Sequence, residues 1–172
     1  MGRSCEHKMN ISNSGLPFTT PRSRRAAQVR AVPAAVTAAV TRGVGRWFED
    51  QGFASLIEFK LGNGRRADVV ALNTAGTILM VEVKSTPEDF RGDAKWLEYV
   101  PYCDGFSFAV PPHFPWEILP VTCGVIMADA HAATVLREAP RHPLHAARRR
   151  AMTLRFALAA GQRLASVIDP RV

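Results

Sequence analysis

The chain has 172 residues, nearly half of them hydrophobic (47%), and carries a net charge of +7. That size supports one domain with a proper core, and no apolar run approaches the roughly 20 residues of a membrane-spanning helix. Cys5, Cys103 and Cys123 are odd in number and follow no metal-ligand spacing, which points to reduced thiols in a cytoplasmic protein. The charge is uneven: residues 1–30 and 137–172 are basic, whereas residues 31–136 carry eight Lys/Arg against twelve Asp/Glu. An acidic centre between basic ends points to a cation site flanked by segments that attract a polyanion such as DNA or RNA.

Residues 1–32 read as a disordered basic tail, punctuated by Asn10, Ser12, Asn13, Ser14, Gly15 and Pro17. Residues 33–172 read as a single domain. Val36, Val40, Val44, Trp47 and Phe48 recur at helical spacing up to about Asp50, and Gly52 suits the stop. Ala54–Leu61 reads as a strand, Gly62-Asn63-Gly64 as a turn, and residues 66–73 and 77–84 as two further strands. Thr86-Pro87-Glu88-Asp89 is a capping box with proline at the first helical position. It predicts a helix to about Tyr102 with Phe90, Ala94 and Leu97 facing the core. Gly105–Pro111 and Val121–Asp129 read as strands, with Ala133–Arg137 as a partner strand. Residues 144–167 read as a long helix with Ala147, Ala151, Leu154 and Leu158 as its apolar stripe. The result is a mixed α/β domain. Short connections make the first three strands antiparallel, and a helical crossover lets the next one pair in parallel.

Asp68, Glu82 and Lys84 interrupt two of these apolar strands. Glu82 and Lys84 are two apart and share a face. A three-residue loop Thr74-Ala75-Gly76, with Gly76 in the left-handed region, sets Asn73 opposite Thr77 and so Asp68 opposite Glu82. A four-residue loop would put Asp68 on the other face. Two carboxylates so placed repel, and Mg²⁺ (or Mn²⁺ in its place) would relieve that repulsion while activating a water. Lys84 would orient the water or stabilise the charge of the transition state. The alternative is a lysine–carboxylate pair on a solvated sheet face. Arg65 and Arg66 either clamp a phosphate or sit in water beside the turn. Arg148, Arg149 and Arg150 on the last helix are expected to contact a DNA backbone without reading sequence. His113, His131, His142 and His145 follow no zinc spacing.

Asp68 and Glu82-Val83-Lys84 resemble the signature of the PD-(D/E)XK nuclease superfamily, whose restriction-endonuclease-like core runs helix, three strands, helix, strand. Ala67 stands where that superfamily usually has proline. A longer string resembles the MmcB-type bacterial DNA repair proteins: Gly64-Arg65-Arg66-Ala67-Asp68, Val81-Glu82-Val83-Lys84-Ser85, Asp89-Phe90-Arg91-Gly92-Asp93-Ala94-Lys95-Trp96, Tyr102-Cys103-Asp104, Phe108-Ala109-Val110-Pro111 and the stretch from Arg148 to Ala157. This resemblance implies a restriction-endonuclease-like fold and a role in DNA repair, with DNA and other repair proteins as partners. It also implies Asp68, Glu82 and Lys84 as catalytic residues, with Glu58 as an added metal ligand or else a plain surface glutamate. Glu49 occupies the superfamily's other acidic position, although a solvated helix end accounts for it as well. Lys95 and Tyr99 resemble the Gln-x-x-x-Tyr helix of RecB-like nucleases, with Lys95 in place of glutamine. Asp93 and Trp96 would flank the same cleft, Trp96 chiefly as packing.

Overall fold

Residues 33–170 are described by a computed structural model; the expected tail over residues 1–32 lies outside the described residues. Helix α1 (Pro33–Asp50) precedes strands β1 (Phe53–Lys60), β2 (Arg66–Asn73) and β3 (Ile78–Val83). Then come a short helix α2 (Pro87–Arg91), β4 (Gly105–Val110), β5 (Gly124–Ala128), β6 (Ala133–Arg137) and helix α3 (Ala146–Ile168). The six strands form one mixed sheet in sequence order. The pairs β1–β2, β2–β3 and β5–β6 are antiparallel, and β3–β4 and β4–β5 are parallel. Helix, three antiparallel strands, helix, parallel strand is the order expected of a restriction-endonuclease-like core.

The sheet separates two cores. On one face α1 buries Val40, Val44 and Phe48 against Val69, Ala71, Val81, Val83, Ala109 and Ile126. Gly43 lets α1 lie directly on the β5–β6 turn, because a β-carbon there would stand 2.1 Å from the Asp129 carbonyl oxygen. On the other face Val70, Ile78, Met80, Phe106 and Phe108 pack with Tyr99, Met152 and Phe156. Glu82 and Lys84 belong to this second face by alternation with Met80; Asp68 sits where the alternation of β2 breaks, since Ala67 and Val70 pack in the same core.

Two expectations need correction. The helix from Pro87 does not run to Tyr102. It ends at Gly92, and two 3₁₀ turns follow at Lys95–Glu98 and Val100–Tyr102. Asp93 breaks the helix by accepting the Lys95 amide on its own carboxylate (2.9 Å), a local bond that competes with the helical ladder. Pro101 prevents resumption. Phe90 does pack on the core, but Ala94 and Leu97 are exposed. In α3 the expected stripe Ala147, Ala151, Leu154 and Leu158 is exposed, and Met152 and Phe156 are the buried residues.

Candidate active site

The β2–β3 hairpin has the three-residue loop, with Gly76 at φ +76° and the Asn73 amide donating to the Thr77 carbonyl (3.2 Å). Leu72 therefore faces Ile78, and Val69 faces Val81. One step further sets Asp68 opposite Glu82. The ladder stops there. By alternation the Val83 amide should bond the Ala67 carbonyl, yet it donates to Asp68 Oδ2 instead (2.8 Å). Beyond this point β2 stays with β1, as Phe59 faces Ala67, while β3 stays with β4, as Lys84 N–H donates to the Ala109 carbonyl (2.9 Å). The two strands fork, and the carboxylates occupy the fork.

Glu82 and Lys84 are buried, with only 7% and 3% of their surface exposed. Lys84 Nζ lies 2.7 Å from Asp93 Oδ2, 3.6 Å from Glu82 Oε1 and 3.9 Å from Asp89 Oδ1. Asp89 is placed by the capping box: its amide bonds Thr86 Oγ1 (3.2 Å), and its carboxylate accepts the Ser85 amide (3.3 Å). Glu82 Oε2 is buried without a hydrogen-bond partner among the described residues. Burial, and then the negative charge of Asp68, push the Glu82 carboxyl up to about 8. Asp68 is raised by burial as well, although the Val83 amide opposes the shift. Burial alone would lower Lys84, but its hydrogen bond to Asp93 and the charges of Glu82 and Asp89 prevail and raise it. Burial alone would raise Asp93, but the Lys84 hydrogen bond, the Lys95 amide and the charges of both lysines together lower it. At neutral pH the site therefore holds a charged Lys84–Asp93 pair beside a protonated Glu82.

Glu58 lies near enough to Asp68 for its charge to help burial raise that carboxyl, while its side chain is paired with Arg66. It sits at φ +50° in the middle of β1, a strained conformation for a residue with a side chain, and its Oε2 accepts from Arg66 Nε at 2.6 Å. Among the described residues, no cluster of three or more His, Cys, Asp or Glu side chains stands ready to hold a metal. Asp68 and Glu58 nevertheless both line a groove of about 1130 Å³ between α1 and β1, with Glu49 and Arg42 further along it; Glu82 and Lys84 do not line this groove.

The residues expected to contact nucleic acid diverge. Arg65 forms a bidentate pair with Glu98 (2.6 and 2.7 Å). Tyr99 is buried, its ring stacked on Phe106 and its hydroxyl donating to the Arg66 carbonyl. Burial and then the Glu82, Asp93 and Asp68 charges push its hydroxyl up to about 12. Lys95 is exposed, and Trp96 packs on Phe106 and Phe108. The three adjacent arginines point apart, as a turn of about 100° per residue requires. Arg148 stacks over Tyr102 and donates to the Pro101 carbonyl. Arg149 forms a bidentate pair with Asp104, both bonds at 2.6 Å, and so fastens α3 to the sheet rather than facing a ligand. Arg150 is exposed.

The family model described as "MmcB-like, DNA repair protein MmcB-like" matches residues 24–171. The chain belongs to the MmcB-like DNA repair family. It is also similar to a solved structure, the SPO1766 protein of unknown function from Silicibacter pomeroyi. The two are 39% identical over 83% of this chain and 95% of that one, with a TM-score of 0.76. A search of curated proteins returns no match. The MmcB-like string from the sequence thus coincides with the fork: its Asp89 and Asp93 are the residues that neutralise Lys84. Among the described residues no helix is long and apolar enough to cross a membrane.

Proposed function

We propose that this MmcB-like protein hydrolyses DNA phosphodiester bonds with Mg²⁺, or Mn²⁺ in its place, held at the β2–β3 fork by Asp68 and Glu82. The observation that carries this reading is the buried, unpartnered Glu82 Oε2 opposite Asp68 and beside Lys84. A buried carboxylate oxygen with no donor is costly unless something supplies positive charge, and two carboxylates are the usual protein share of a Mg²⁺ site. Bound there, the cation would lower the pKa of a water and neutralise charge on the phosphate.

The side chains divide the work. Glu82, protonated in the free site, would hold the cation as a carboxylate and so would have to release its proton. Asp68 is held in line by the Val83 amide. Lys84, fixed by Asp93, presents a positive charge where the pentacovalent phosphate gains negative charge. Glu58, already paired with Arg66, has no direct part. Of the cations expected to meet the DNA backbone, Arg150 and Lys95 are exposed, and Arg66 is exposed while paired with Glu58. A DNA substrate and unpaired Cys103 and Cys123 both suit a cytoplasmic protein.

The second reading is an accessory module that binds DNA or other repair proteins without cutting. It is favoured by the ion pairs that already occupy Lys84. Incubation with branched, nicked, flap and single-stranded DNA, in Mg²⁺, in Mn²⁺ and in chelator, decides between them. Hydrolysis that requires the divalent ion supports the nuclease. Binding without hydrolysis in both metals supports the module and overturns the proposal.

A further inference from the structure

Helix α3 has two apolar faces. Met152 and Phe156 are buried against the domain. On the opposite side Leu154, Leu158, Leu164 and Ile168 are each more than half exposed, from 57% to 73%. Most of the exposed set follows a seven-residue repeat: Leu154, Gly161 and Ile168 share one line, Leu158 and Ala165 a second, and Ala157 and Leu164 a third, with the exposed Val167 outside it. That is the periodicity of a helix that packs along another helix.

The stripe is also nearly symmetric about Gly161. Laying α3 antiparallel on a copy of itself about that point sets Leu154 against Ile168, Leu158 against Leu164, and Ala157 against Ala165. Large residues meet large, small meet small, and Gly161 meets Gly161. Gly161 has open space where a β-carbon would stand. A glycine inside an exposed helix costs about 1 kcal/mol relative to alanine, and close approach of two helices gives it a purpose. The same register brings Asp169 of one copy within one helical turn of Arg150 of the other, both exposed, so charge agrees with shape. A surface patch that matches itself in reverse order is what a two-fold interface requires.

We infer that the outer face of α3 is a self-association surface, on which a second copy of this chain docks antiparallel about a two-fold axis through Gly161. The stripe is apolar between its end charges, so a nucleic-acid backbone would gain nothing from it. This inference does not depend on the proposed nuclease activity.

Light scattering on the full chain at micromolar concentration tests the pairing. The expected mass is about twice the 18.8 kDa of the chain, returning to the monomer in the Leu158→Lys/Leu164→Lys variant with unchanged helical circular dichroism. Cross-linking tests the register: in a Cys5→Ser background, Leu158→Cys and Leu164→Cys proteins should form a disulfide dimer when mixed, and far less of one alone. Cys103 and Cys123 are buried and do not interfere. A monomer at all concentrations, a dimer indifferent to the double lysine variant, or cross-linking only between like positions would each overturn the inference. So would a monomer that floats with vesicles of anionic phospholipid, which would make the stripe a membrane-facing surface.

Discussion

Lys84 stands among three carboxylates, at 2.7, 3.6 and 3.9 Å, yet only Asp93 makes a short bond to it. One cation cannot neutralise Glu82, Asp93, Asp89 and Asp68 together, so the most buried of them keeps its proton. Glu82 therefore titrates near 8 when folded, against roughly 4.3 in an unfolded chain. Between those values the folded state holds a proton that the unfolded state has lost, so stability falls as pH rises through that window. Without metal, the melting temperature should be lower at pH 9 than at pH 6, and Glu82→Gln, neutral at both, should remove most of the difference. Equal slopes in the two proteins would show that Glu82 is ionised throughout. The pairing of Lys84 with Asp93 was only dimly legible in the sequence. Asp93 could be placed beside the cleft, but residue spacing does not say whether its carboxylate will take the Lys95 amide and break the helix or leave the helical ladder to run on.

At the scale of elements, the hairpin was the most legible feature, because register followed from one glycine and one loop length. Gly76 at positive φ fixes Asn73 opposite Thr77, and everything back to Asp68 follows. The mode of α3's attachment was not legible. Its apolar residues fall on two sides, and sequence periodicity cannot say which side meets the sheet. The arginine run gave no hint that Arg149 is the anchor. Asp104, which the sequence named only within the MmcB-like string and gave no role, accepts from the Ile78 and Leu144 amides and from Arg149, all between 2.6 and 2.9 Å. Burial alone would raise its carboxyl, but the Arg149 hydrogen bond, the two amides and the Arg149 charge together lower it. Asp104→Ala strands all three donors and should cost about 3 kcal/mol, as breaking a buried pair does, which urea unfolding will measure. A loss below about 1 kcal/mol would mean that α3 is held by Met152 and Phe156 alone.

Across the whole molecule, the sequence pattern of an acidic middle and basic ends maps onto an acidic fork in a chain of net charge +7. On the proposed function, the polyanion would be drawn in by charges away from the fork, and the fork would admit phosphate only with a cation bound. DNA affinity should thus fall steeply with salt. Arg150→Gln, which removes an exposed cation, should lower the slope of log K against log salt by about one. Arg149→Gln should lower stability and leave the slope unchanged. If both variants keep the full slope, the DNA path avoids α3.

The central claim is that Asp68 and Glu82 hold a divalent cation, and the proton on Glu82 makes it directly measurable. Calorimetric titration of Mg²⁺ or Mn²⁺ at pH 7, in buffers of different ionisation enthalpy, reads both binding and proton release. The wild-type chain should bind the ion and release about one proton per ion bound, and Glu82→Gln should lose both signals. Binding of equal strength in Glu82→Gln, or no binding by the wild type with or without DNA, would contradict the account.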